Sequence, residues 1–539
     1  MRFQRLFSLI CLTAVALTPP YICIAQDSYI PNPDYSAYIL TPKAPDTPRI
    51  NGPKIYGERP GMPFLFKIPA TGVRPMTFEA EGLPHGLSLD KETGIITGKV
   101  RKAGEYKVTL KAVNNLGSDE RVLRIIIGDR IALTPPMGWN SWNCWREFVD
   151  QEKVMSSING FLEKGLDRYG WSYINIDDGW QGTRGGEYNA IQPNSKFHDM
   201  KALSDFIHSK GLKFGIYSSP WVGTPGAHIG TSCDSPNGKY DWVEDGRVNE
   251  FFKYKGDGNE FHYLGKHSFA EQDVRQWADW DVDYLKYDWH PNDAESIMTM
   301  SRALRSSGRD IVLSLSNRAP FALARVYLEY AECWRTTSDI TDEWSSLERI
   351  GLRSMDHWAG FQGPGHWPDA DMLEIGRVRV RGSGTRPCKL TPDEQYAHIT
   401  LWCMLASPLL IGCDMSDMDD FTVSLLTNNE VIDVNQDPLG IQAVRYRPVD
   451  RFADSYEEAQ ILMKPLEDGT FAIAIFNLSD EERMIGFSPA TFQLGGKQTV
   501  RDLWRQRDVA ELEGNMRWET LIGPHGAALY RLSPGGIKK

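Results

Sequence analysis

Charged and aromatic residues recur where short apolar runs end in the middle of this chain of 539 residues. The residues at these ends are Trp142; Asp177 and Asp178; Tyr217; Lys286 and Asp288; Arg335 and Asp339; and Asp369 and Asp371. A random distribution would not repeat this arrangement at six of eight such runs. The pattern predicts that these side chains assemble one functional site.

Carboxylates combined with aromatic residues are typical of two kinds of site. One hydrolyses glycosides with a nucleophile and a proton donor, and the other holds a divalent metal ion with oxygen ligands. Lys286 and Arg335 lie close in sequence to the acids. These two fixed positive charges would repel a bound metal ion, whereas sugar oxygens accept hydrogen bonds from both side chains. The sequence therefore favours a carbohydrate substrate, and we expect no metal and no cofactor.

The elements that must position these residues alternate between short apolar strands and helices over residues 131–443. Helical spacing is clearest at Gln151–Tyr169, Met200–Lys210 and Pro392–Ala406. The predicted strands are Trp139–Trp142, Tyr173–Asp178, Phe214–Tyr217, Tyr284–Asp288, Ile311–Ser316, Cys333–Arg335, Gly365–Asp369 and Leu409–Gly412. Eight strands with intervening helices predict an α/β fold of the (β/α)8 TIM-barrel type, whose active sites lie at the carboxyl ends of the strands. A doubly wound sheet is disfavoured because no glycine fingerprint follows the first strand.

Two β-rich segments flank the predicted barrel. Residues 54–130 contain alternating runs such as Glu105–Val113 and Val122–Ile127, which predict a small β-sandwich. This segment resembles the immunoglobulin-like modules beside bacterial carbohydrate enzymes, and we interpret it as a spacer, with a sugar-binding module as the alternative. Residues 444–539 predict an antiparallel β domain that packs against the barrel.

The amino terminus is typical of an export signal. Two arginines precede the apolar run Leu6–Leu17, and a cleavage site follows before Gln26. The run is too short to span a bilayer, and no other apolar stretch reaches about 18 residues. We expect residues 1–25 to be removed, residues 26–53 to form a linker, and the mature chain to be periplasmic or secreted without a membrane span.

Composition excludes several classes of protein. Lys and Arg number 59 against 71 Asp and Glu, and the resulting net charge of −12 argues against nucleic acid as a partner. Aromatic residues make up 11% of the chain, which suits stacking on sugars but also a large core. Of eight cysteines, two precede the cleavage site and the others form no CxxC pair. A structural zinc site is therefore disfavoured, and a disulfide bond is expected in an oxidising compartment, with its pairing open.

In this order along the chain, the runs PMGWNSW, YINIDDGW, KFGIYSS, DYLKYD, WRTTSDI and WPDADML resemble the strand-end motifs of glycoside hydrolase family 27, the α-galactosidase and α-N-acetylgalactosaminidase family. The resemblance covers the predicted barrel and the C-terminal domain but not the immunoglobulin-like module. It implies that Asp288 is the catalytic nucleophile and that Asp339 is the general acid/base.

The resemblance also implies contacts with the sugar. The matching residues are Asp177 and Asp178 at the 4- and 6-hydroxyls, Lys286 at the 3- and 4-hydroxyls, Trp142 and Tyr217 as an aromatic wall, Arg335 near the 2-position and Asp371 beside the acid/base. Lys286, two residues before Asp288 on a strand, projects to the same side, and its charge is expected to keep Asp288 ionised. Asp339 is expected to hold a proton in a less cationic or more buried setting.

Two positions depart from the family pattern. The fifth strand leads into Asn317 and Arg318 without the acid that commonly contacts the 2-hydroxyl in α-galactosidases, which leaves the 2-substituent open. Trp289 follows the nucleophile where many members have a cysteine that pairs with one equivalent to Cys233, which implies that Cys233 is free or differently paired. Asp177 is kept where β-L-arabinopyranosidases can carry a bulkier Glu, which favours galactose.

The predicted function is that of a retaining exo-glycosidase that hydrolyses terminal α-linked galactose from oligo- or polysaccharides with two carboxylates. α-N-Acetylgalactosaminidase and β-L-arabinopyranosidase activity are open alternatives on the same site. A catalytically silent sugar-binding protein is the alternative from another class. The expected partner is a carbohydrate with a terminal α-galactoside.

Overall fold

The computed structural model describes residues 29–226, 228–240, 261–379, 384–446 and 458–535. The predicted signal sequence, residues 1–25, lies outside these ranges. Within them the chain forms an N-terminal β-sandwich, a central parallel sheet surrounded by helices, and a C-terminal β domain.

The central part is built on an eight-stranded parallel sheet. In chain order its strands are β1 (Met137–Asn140), β2 (Tyr173–Asn175), β3 (Lys213–Ser218), β4 (Tyr284–Asp288), β5 (Val312–Ser316), β6 (Cys333–Arg335), β7 (Trp367–Asp369) and β8 (Leu409–Ile411). Their spatial order is β7-β6-β5-β4-β3-β2-β1-β8. After β7, the Leu373 N–H donates to the Leu410 carbonyl of β8 at 2.8 Å. This curled sheet fits the predicted TIM barrel, and each predicted strand is confirmed.

Helices cover the sheet, which explains why its strands are apolar along their length rather than alternating. The α-helices of this part span Trp142–Trp145, Gln151–Glu163, Met200–Ser209, Ala270–Asp279, Ala294–Ser306, Ala324–Tyr330, Trp344–Leu347, Pro392–Leu405, Asp420–Leu426 and Asn429–Asn435. Several begin at an aspartate whose carboxylate accepts a backbone N–H of the first turn, as Asp150 does from Lys153 at 2.8 Å. Short hairpins join Gln181–Gly185 to Ala190–Pro193 and Arg377–Arg379 to Thr385–Pro387, and Ser232–Cys233 pairs with His267–Ser268.

One predicted helix is shorter than its apolar periodicity indicated. The helix expected over Gln151–Tyr169 ends at Glu163, and Leu166–Tyr169 forms a separate 3-10 turn. Gly165 lies between them with φ +71°, a left-handed conformation that glycine adopts readily and that ends helices. The apolar periodicity thus continues past the point where the backbone leaves the helical conformation.

The N-terminal part is a sandwich of two sheets. The four-stranded sheet contains Ile55–Glu58, Gly117–Ile127, Gly104–Asn114 and Thr77–Glu81, and the three-stranded sheet contains Pro63–Lys67, Ile95–Lys99 and Leu87–Leu89. Side chains from both sheets, among them Phe64, Phe78 and Ile125, form its core. This arrangement confirms the predicted immunoglobulin-like module.

The module docks on the amino-terminal ends of the barrel strands, opposite their carboxyl ends. Arg59 donates its backbone N–H to Asp310, which precedes β5, at 2.7 Å, and its guanidinium pairs with the same carboxylate. Lys67 pairs with Asp167 at 2.8 Å. Polar contacts between the two parts therefore fix the module below the barrel.

The C-terminal part contains a six-stranded and a two-stranded sheet. The larger sheet contains Val444–Arg445, Ala459–Pro465, Phe471–Asn477, Ala527–Pro534, Lys497–Asp502 and Arg507–Glu513, and the smaller contains Arg483–Phe487 and Trp518–Ile522. Trp504 donates its indole N–H to Thr400 at 3.0 Å, and Lys464 donates to the Cys403 carbonyl at 3.0 Å. Because Thr400 and Cys403 belong to the Pro392–Leu405 helix, the domain packs against the barrel as predicted.

The expected disulfide bond is absent from the part of the chain that the structure describes. Its six cysteines are Cys144, Cys233, Cys333, Cys388, Cys403 and Cys413, and each is buried and free. They are distributed through the core as small apolar side chains, which is a common use of unpaired cysteine. No described helix has the length and apolar character needed to cross a membrane.

Candidate active site

One cavity opens at the carboxyl ends of the barrel strands. The predicted site residues that line it are Trp142, Asp177, Asp178, Tyr217, Lys286, Asp288, Arg335, Asp339 and Asp371. They come from the ends of β1, β2, β3, β4, β6 and β7 and the segments that follow. The structure thus brings these nine residues together, whereas Asp369, the remaining residue of the strand-end pattern, is buried and does not line the cavity.

Asp177 and Asp178 follow β2 and are held by different partners. Asp177 Oδ2 accepts from Lys286 Nζ and from Asn140 Nδ2, each at 2.8 Å. Asp178 accepts from Thr224 Oγ1 at 2.8 Å and from the Gly226 N–H at 2.6 Å. Both carboxylates are therefore fixed in direction at the bottom of the cavity, where they are buried.

His228 is a further partner of Asp178, with Nδ1 3.4 Å from Oδ1. Burial alone would raise the pKa of Asp178, but the nearby His228 side chain and the hydrogen bonds from Thr224 and Gly226 outweigh it and lower this pKa. Asp178 is therefore ionised and able to accept hydrogen bonds from a ligand.

Lys286 and Asp288 project into the cavity from β4, as strand periodicity predicted. Tyr217 Oη, from β3, donates to Asp288 Oδ2 at 3.0 Å, which leaves Oδ1 without a bond from this tyrosine. The Lys286 ammonium lies 5.3 Å from the Tyr217 ring centroid. Burial raises the pKa of Asp288 despite the opposing charge of Lys286, so the lysine acts in the expected direction but only offsets part of the burial.

Arg335, at the end of β6, holds two carboxylates with one guanidinium nitrogen. Its Nη2 lies 2.6 Å from Asp371 Oδ2 and 3.1 Å from Asp339 Oδ1. Asp371 also accepts the backbone N–H groups of Ile340 and Met372, each at 2.8 Å. Burial raises the pKa of Asp371 to about 7 against the pull of Arg335.

The setting expected for Asp339, less cationic or more buried, is wrong. Partial desolvation in the cavity favours its neutral form, but the charges of Arg335 and Lys286 outweigh this effect and lower the pKa of Asp339. Its side chain is also 70% exposed, so water screens these charges. The sequence places Arg335 four residues before Asp339 but does not give the side-chain conformations that bring the two groups to 3.1 Å.

Sequence analysis missed several residues of the site. Asn140 and Thr224 hold the two aspartates after β2, and Asn317 donates Nδ2 to Asp339 Oδ1 at 3.2 Å. Trp221 and His290 line the cavity, with ring centroids 5.7 Å apart. The available signal for Asn140 and Asn317 was their place at the ends of β1 and β5; Thr224 lies in a long loop without such a signal.

The two departures from the family pattern have visible outcomes. Cys233 is free, and its Sγ lies 3.2 Å from the Lys239 carbonyl. After β5, Asn317 and Arg318 both line the cavity, at the position where α-galactosidases commonly have the acid that contacts the 2-hydroxyl. Among the described residues, no group of three or more His, Cys, Asp or Glu side chains is arranged to hold a metal ion.

Comparison with protein families agrees with this architecture. The model of the family described as alpha galactosidase A matches residues 134–245 and 246–437. That of the alpha galactosidase C-terminal beta sandwich domain matches residues 456–532. A candidate Ig domain matches residues 47–128. The three matches follow the three parts of the fold.

Individual relatives cover most of the chain. Alpha-galactosidase 2 of Arabidopsis thaliana is 32% identical over 76% of this chain and 92% of its own. A Bacteroides fragilis protein, described as a candidate alpha-galactosidase/melibiase, has a crystal structure that is 34% identical, covers 92% of this chain and 99% of its own, and superposes with a TM-score of 0.77. The crystal structure of a β-L-arabinopyranosidase from Geobacillus stearothermophilus is 29% identical over 76% of this chain and 98% of its own, with a TM-score of 0.63. This chain belongs to glycoside hydrolase family 27, the α-galactosidase or melibiase family, and carries an N-terminal immunoglobulin-like module.

Proposed function

We propose that this glycoside hydrolase is a retaining exo-α-galactosidase that releases terminal α-linked galactose by double displacement. One observation carries the proposal: Asp288 and Asp339 line the same cavity, each beside a cation that stabilises its ionised carboxylate. Two-step glycoside hydrolysis requires a pair of carboxylates in one site, one as nucleophile and one as acid and base.

Asp288 is the proposed nucleophile. Tyr217 orients its carboxylate through Oδ2, and Oδ1 attacks the anomeric carbon while the glycosidic C–O bond breaks. The product is a covalent β-galactosyl ester. Water then attacks the same carbon from the opposite face, the ester bond breaks, and galactose leaves with its original α configuration.

Asp339 is the proposed acid and base. Arg335 and Asn317 both donate to Oδ1, so Oδ2 carries the proton to the leaving oxygen. A bound sugar displaces the water around this exposed side chain, which raises its pKa by desolvation. In the second step the same carboxylate takes a proton from the attacking water.

The proposed recognition of galactose rests on the paired acids after β2. Different donors fix Asp177 and Asp178. The remaining lone pairs of the two carboxylates accept hydrogen bonds from the 4- and 6-hydroxyls. Lys286 donates to the 3- and 4-hydroxyls, and Trp142 and Tyr217 cover the apolar face of the ring.

A substrate panel tests the activity. We expect 4-nitrophenyl α-galactoside to be hydrolysed with a higher kcat/KM than the α-N-acetylgalactosaminide or the β-L-arabinopyranoside. A higher kcat/KM on either of the other two glycosides would assign a different substrate to the same site. Sugar binding without turnover of any of the three would contradict enzymatic activity.

Azide rescue tests the two catalytic roles. Asp288→Gly should abolish turnover, and added azide should restore it with β-galactosyl azide as the product, because azide attacks from the vacated face. Asp339→Ala should affect poor leaving groups most, and its product should be the α-azide, because the covalent intermediate still forms. The opposite stereochemistry in the two variants would exchange the roles.

We also propose that the protein is exported. The apolar run Leu6–Leu17 and the small residues that follow are the supporting feature. Expression of the full chain should yield a periplasmic or secreted protein whose first residue is Gln26. An intact Met1 on protein recovered from the cytoplasm would contradict export.

A further inference from the structure

Three permanently charged cations line the catalytic cavity, and two of them are neutralised within the described part of the chain. Lys286 pairs with Asp177, and Arg335 pairs with Asp339 and Asp371. The third is Arg318, which lines the same cavity, is exposed, and forms no ion pair with a described carboxylate. Arg318 is therefore a cavity cation whose guanidinium is left for a ligand.

The backbone of Arg318 is held firmly in place. Its N–H donates to the Thr337 carbonyl at 3.2 Å, and the next N–H, of Ala319, donates to the Arg335 carbonyl at 2.8 Å. The residue adopts φ +54°, a left-handed conformation that is uncommon for non-glycine residues and that costs about 1 kcal/mol. Hydrogen bonds thus hold the segment after β5 against the end of β6 and the segment that follows it, and the Cα position of Arg318 is fixed.

This fixed point lies beside the proposed acid and base. Asn317, the preceding residue, donates to Asp339 Oδ1 at 3.2 Å. If Asp339 protonates the glycosidic oxygen, the groups nearest to Arg318 are those around that oxygen. They are the substituent on C2 of the galactose and the first unit of the leaving group.

A second arginine without an ion pair to a described residue lies near Asp339. Arg146 is exposed, its guanidinium carbon is 5.6 Å from the Trp142 ring centroid, and it forms no ion pair with a described residue. Its charge contributes to the lowered pKa of Asp339, so it is near that carboxyl. A protein of net charge −12 repels anions in general, so two arginines near Asp339 that form no ion pair with a described residue are a local exception.

We propose that Arg318, assisted by Arg146, selects α-galactosides that carry an anionic group, a carboxylate or a sulfate, next to the scissile bond. The planar guanidinium of arginine donates two parallel hydrogen bonds to either group. The proposal rests on the proposed α-galactosidase activity and specifies its substrate class. The anion belongs either to the galactose, as a 2-sulfate, or to the leaving group, as a uronic acid.

Competing substrates separate these two sources. One arm compares 4-nitrophenyl α-galactoside with its 2-sulfate, and the other compares α-galactosyl-glucuronic acid with α-galactosyl-glucose. We expect kcat/KM to be at least about tenfold higher for the anionic member in one arm, since a hydrogen bond to a charged group contributes that much. The arm that shows the preference identifies the source, and 0.5 M NaCl should reduce the preference, because salt screens the charge of an exposed arginine.

Variants assign the preference to the arginine. Arg318→Gln should lower the ratio of anionic to neutral kcat/KM to near one, and Arg318→Lys should retain part of it. The matched control is Arg325→Gln, an exposed arginine on the Ala324–Tyr330 helix outside the cavity, which should leave the ratio unchanged. A wild-type ratio at or below one in both arms, or an unchanged ratio in Arg318→Gln, would overturn the proposal.

A binding measurement separates failure of this proposal from failure of the proposed activity. Calorimetric titration of wild type and Arg318→Gln with galactose and galactose 2-sulfate, and with the two disaccharides, needs no turnover. If no α-galactoside is hydrolysed but an anionic ligand binds more tightly through Arg318, the activity is wrong and the anion selection stands. If α-galactosides are hydrolysed and neither titration nor kinetics depends on Arg318, the anion selection is wrong and the activity stands.

Discussion

Single side chains of the site are held by more than one donor, and this restricts which sugar can enter. Asp177 Oδ2 already accepts from Lys286 and Asn140, so its carboxylate cannot turn away from a larger ligand. Asp178 is enclosed in the same way by Thr224 and Gly226. Specificity at the bottom of the cavity therefore depends on the length of these side chains.

Asp177→Glu should lower kcat/KM on 4-nitrophenyl α-galactoside relative to 4-nitrophenyl β-L-arabinopyranoside. The added methylene extends into the space that we assign to the hydroxymethyl group, which only galactose has. One methylene changes discrimination by about 1–3 kcal/mol, so the ratio should change by at least about tenfold. Asp279→Glu, at an exposed helix end, is the control. An unchanged ratio would place Asp177 away from this group.

Asp371→Asn should move the alkaline limb of the pH dependence of kcat/KM to lower pH. Asp339 and Asp371 repel each other, since the charge of Asp339 raises the pKa of Asp371, and the repulsion is mutual. Neutralising residue 371 therefore favours ionised Asp339 and lowers its pKa, so the acid loses its proton at lower pH. We expect a shift of about one pH unit, measured with methyl α-galactoside, whose leaving group needs protonation. If the alkaline limb stayed in place or moved to higher pH, Asp339 would not be the group that controls it.

Among the helices, Pro392–Leu405 is buried on almost all sides. It lies between the barrel and the C-terminal domain, and almost all of its residues are buried. Its first turn is closed by a capping box in which the Glu394 N–H donates to Thr391 Oγ1 at 3.3 Å and the Thr391 N–H donates to Glu394 Oε2 at 2.8 Å. His525, from the C-terminal domain, contacts the same glutamate at 2.8 Å. Glu394 therefore both caps the start of the helix and contacts the C-terminal domain.

Thr391→Ala should lower the free energy of unfolding by about 1 kcal/mol, because it removes the acceptor for the Glu394 N–H. Thr391→Ser keeps the oxygen and should lose much less. Chemical denaturation measures both, with Thr97→Ala on the exposed face of a module strand as the control. Equal losses in the alanine and serine variants would mean that the side-chain oxygen is not what stabilises this helix.

For the whole molecule, the position of the immunoglobulin-like module decides its role. Its contacts Arg59–Asp310 and Lys67–Asp167 lie at the amino-terminal ends of the strands, whereas the catalytic cavity opens at the carboxyl ends. The module therefore supports the base of the barrel and does not line the cavity. This favours the spacer interpretation over a module that presents sugar to the site.

Asp310→Ala should destabilise the protein by about 3 kcal/mol, because it leaves the largely buried Arg59 guanidinium without its charge partner. The kcat/KM of the folded enzyme at 25 °C should stay within about twofold of wild type, since the altered contact is at the opposite end of the barrel. Calorimetry and kinetics give the two readouts, with the exposed Asp129→Ala as control. A large loss of activity without loss of stability would mean that the module acts on the site.

The sequence alone determined the barrel, its flanking β domains and the nine predicted residues of the cavity. Strands and strand ends are local features, and the parallel arrangement of eight strands necessarily brings those ends to one face. Asp288 and Lys286, for example, needed only their spacing on β4 to be placed on one side. The same local reasoning overran the helix end at Gly165 because periodicity does not report backbone conformation.

Only the tertiary structure decided how these groups are paired and charged. The lowered pKa of Asp339 depends on a guanidinium at 3.1 Å, and a pKa follows distance and burial rather than residue type. The free state of Cys233 and the partners of Asp178 depend on a long loop after β3. That Arg318 is the cavity cation without a described ion pair is likewise a property of the assembled site. The pKa of Asp339 depends on side-chain conformation across only four residues, whereas contacts between distant segments decide the other properties. Residue spacing alone gives neither.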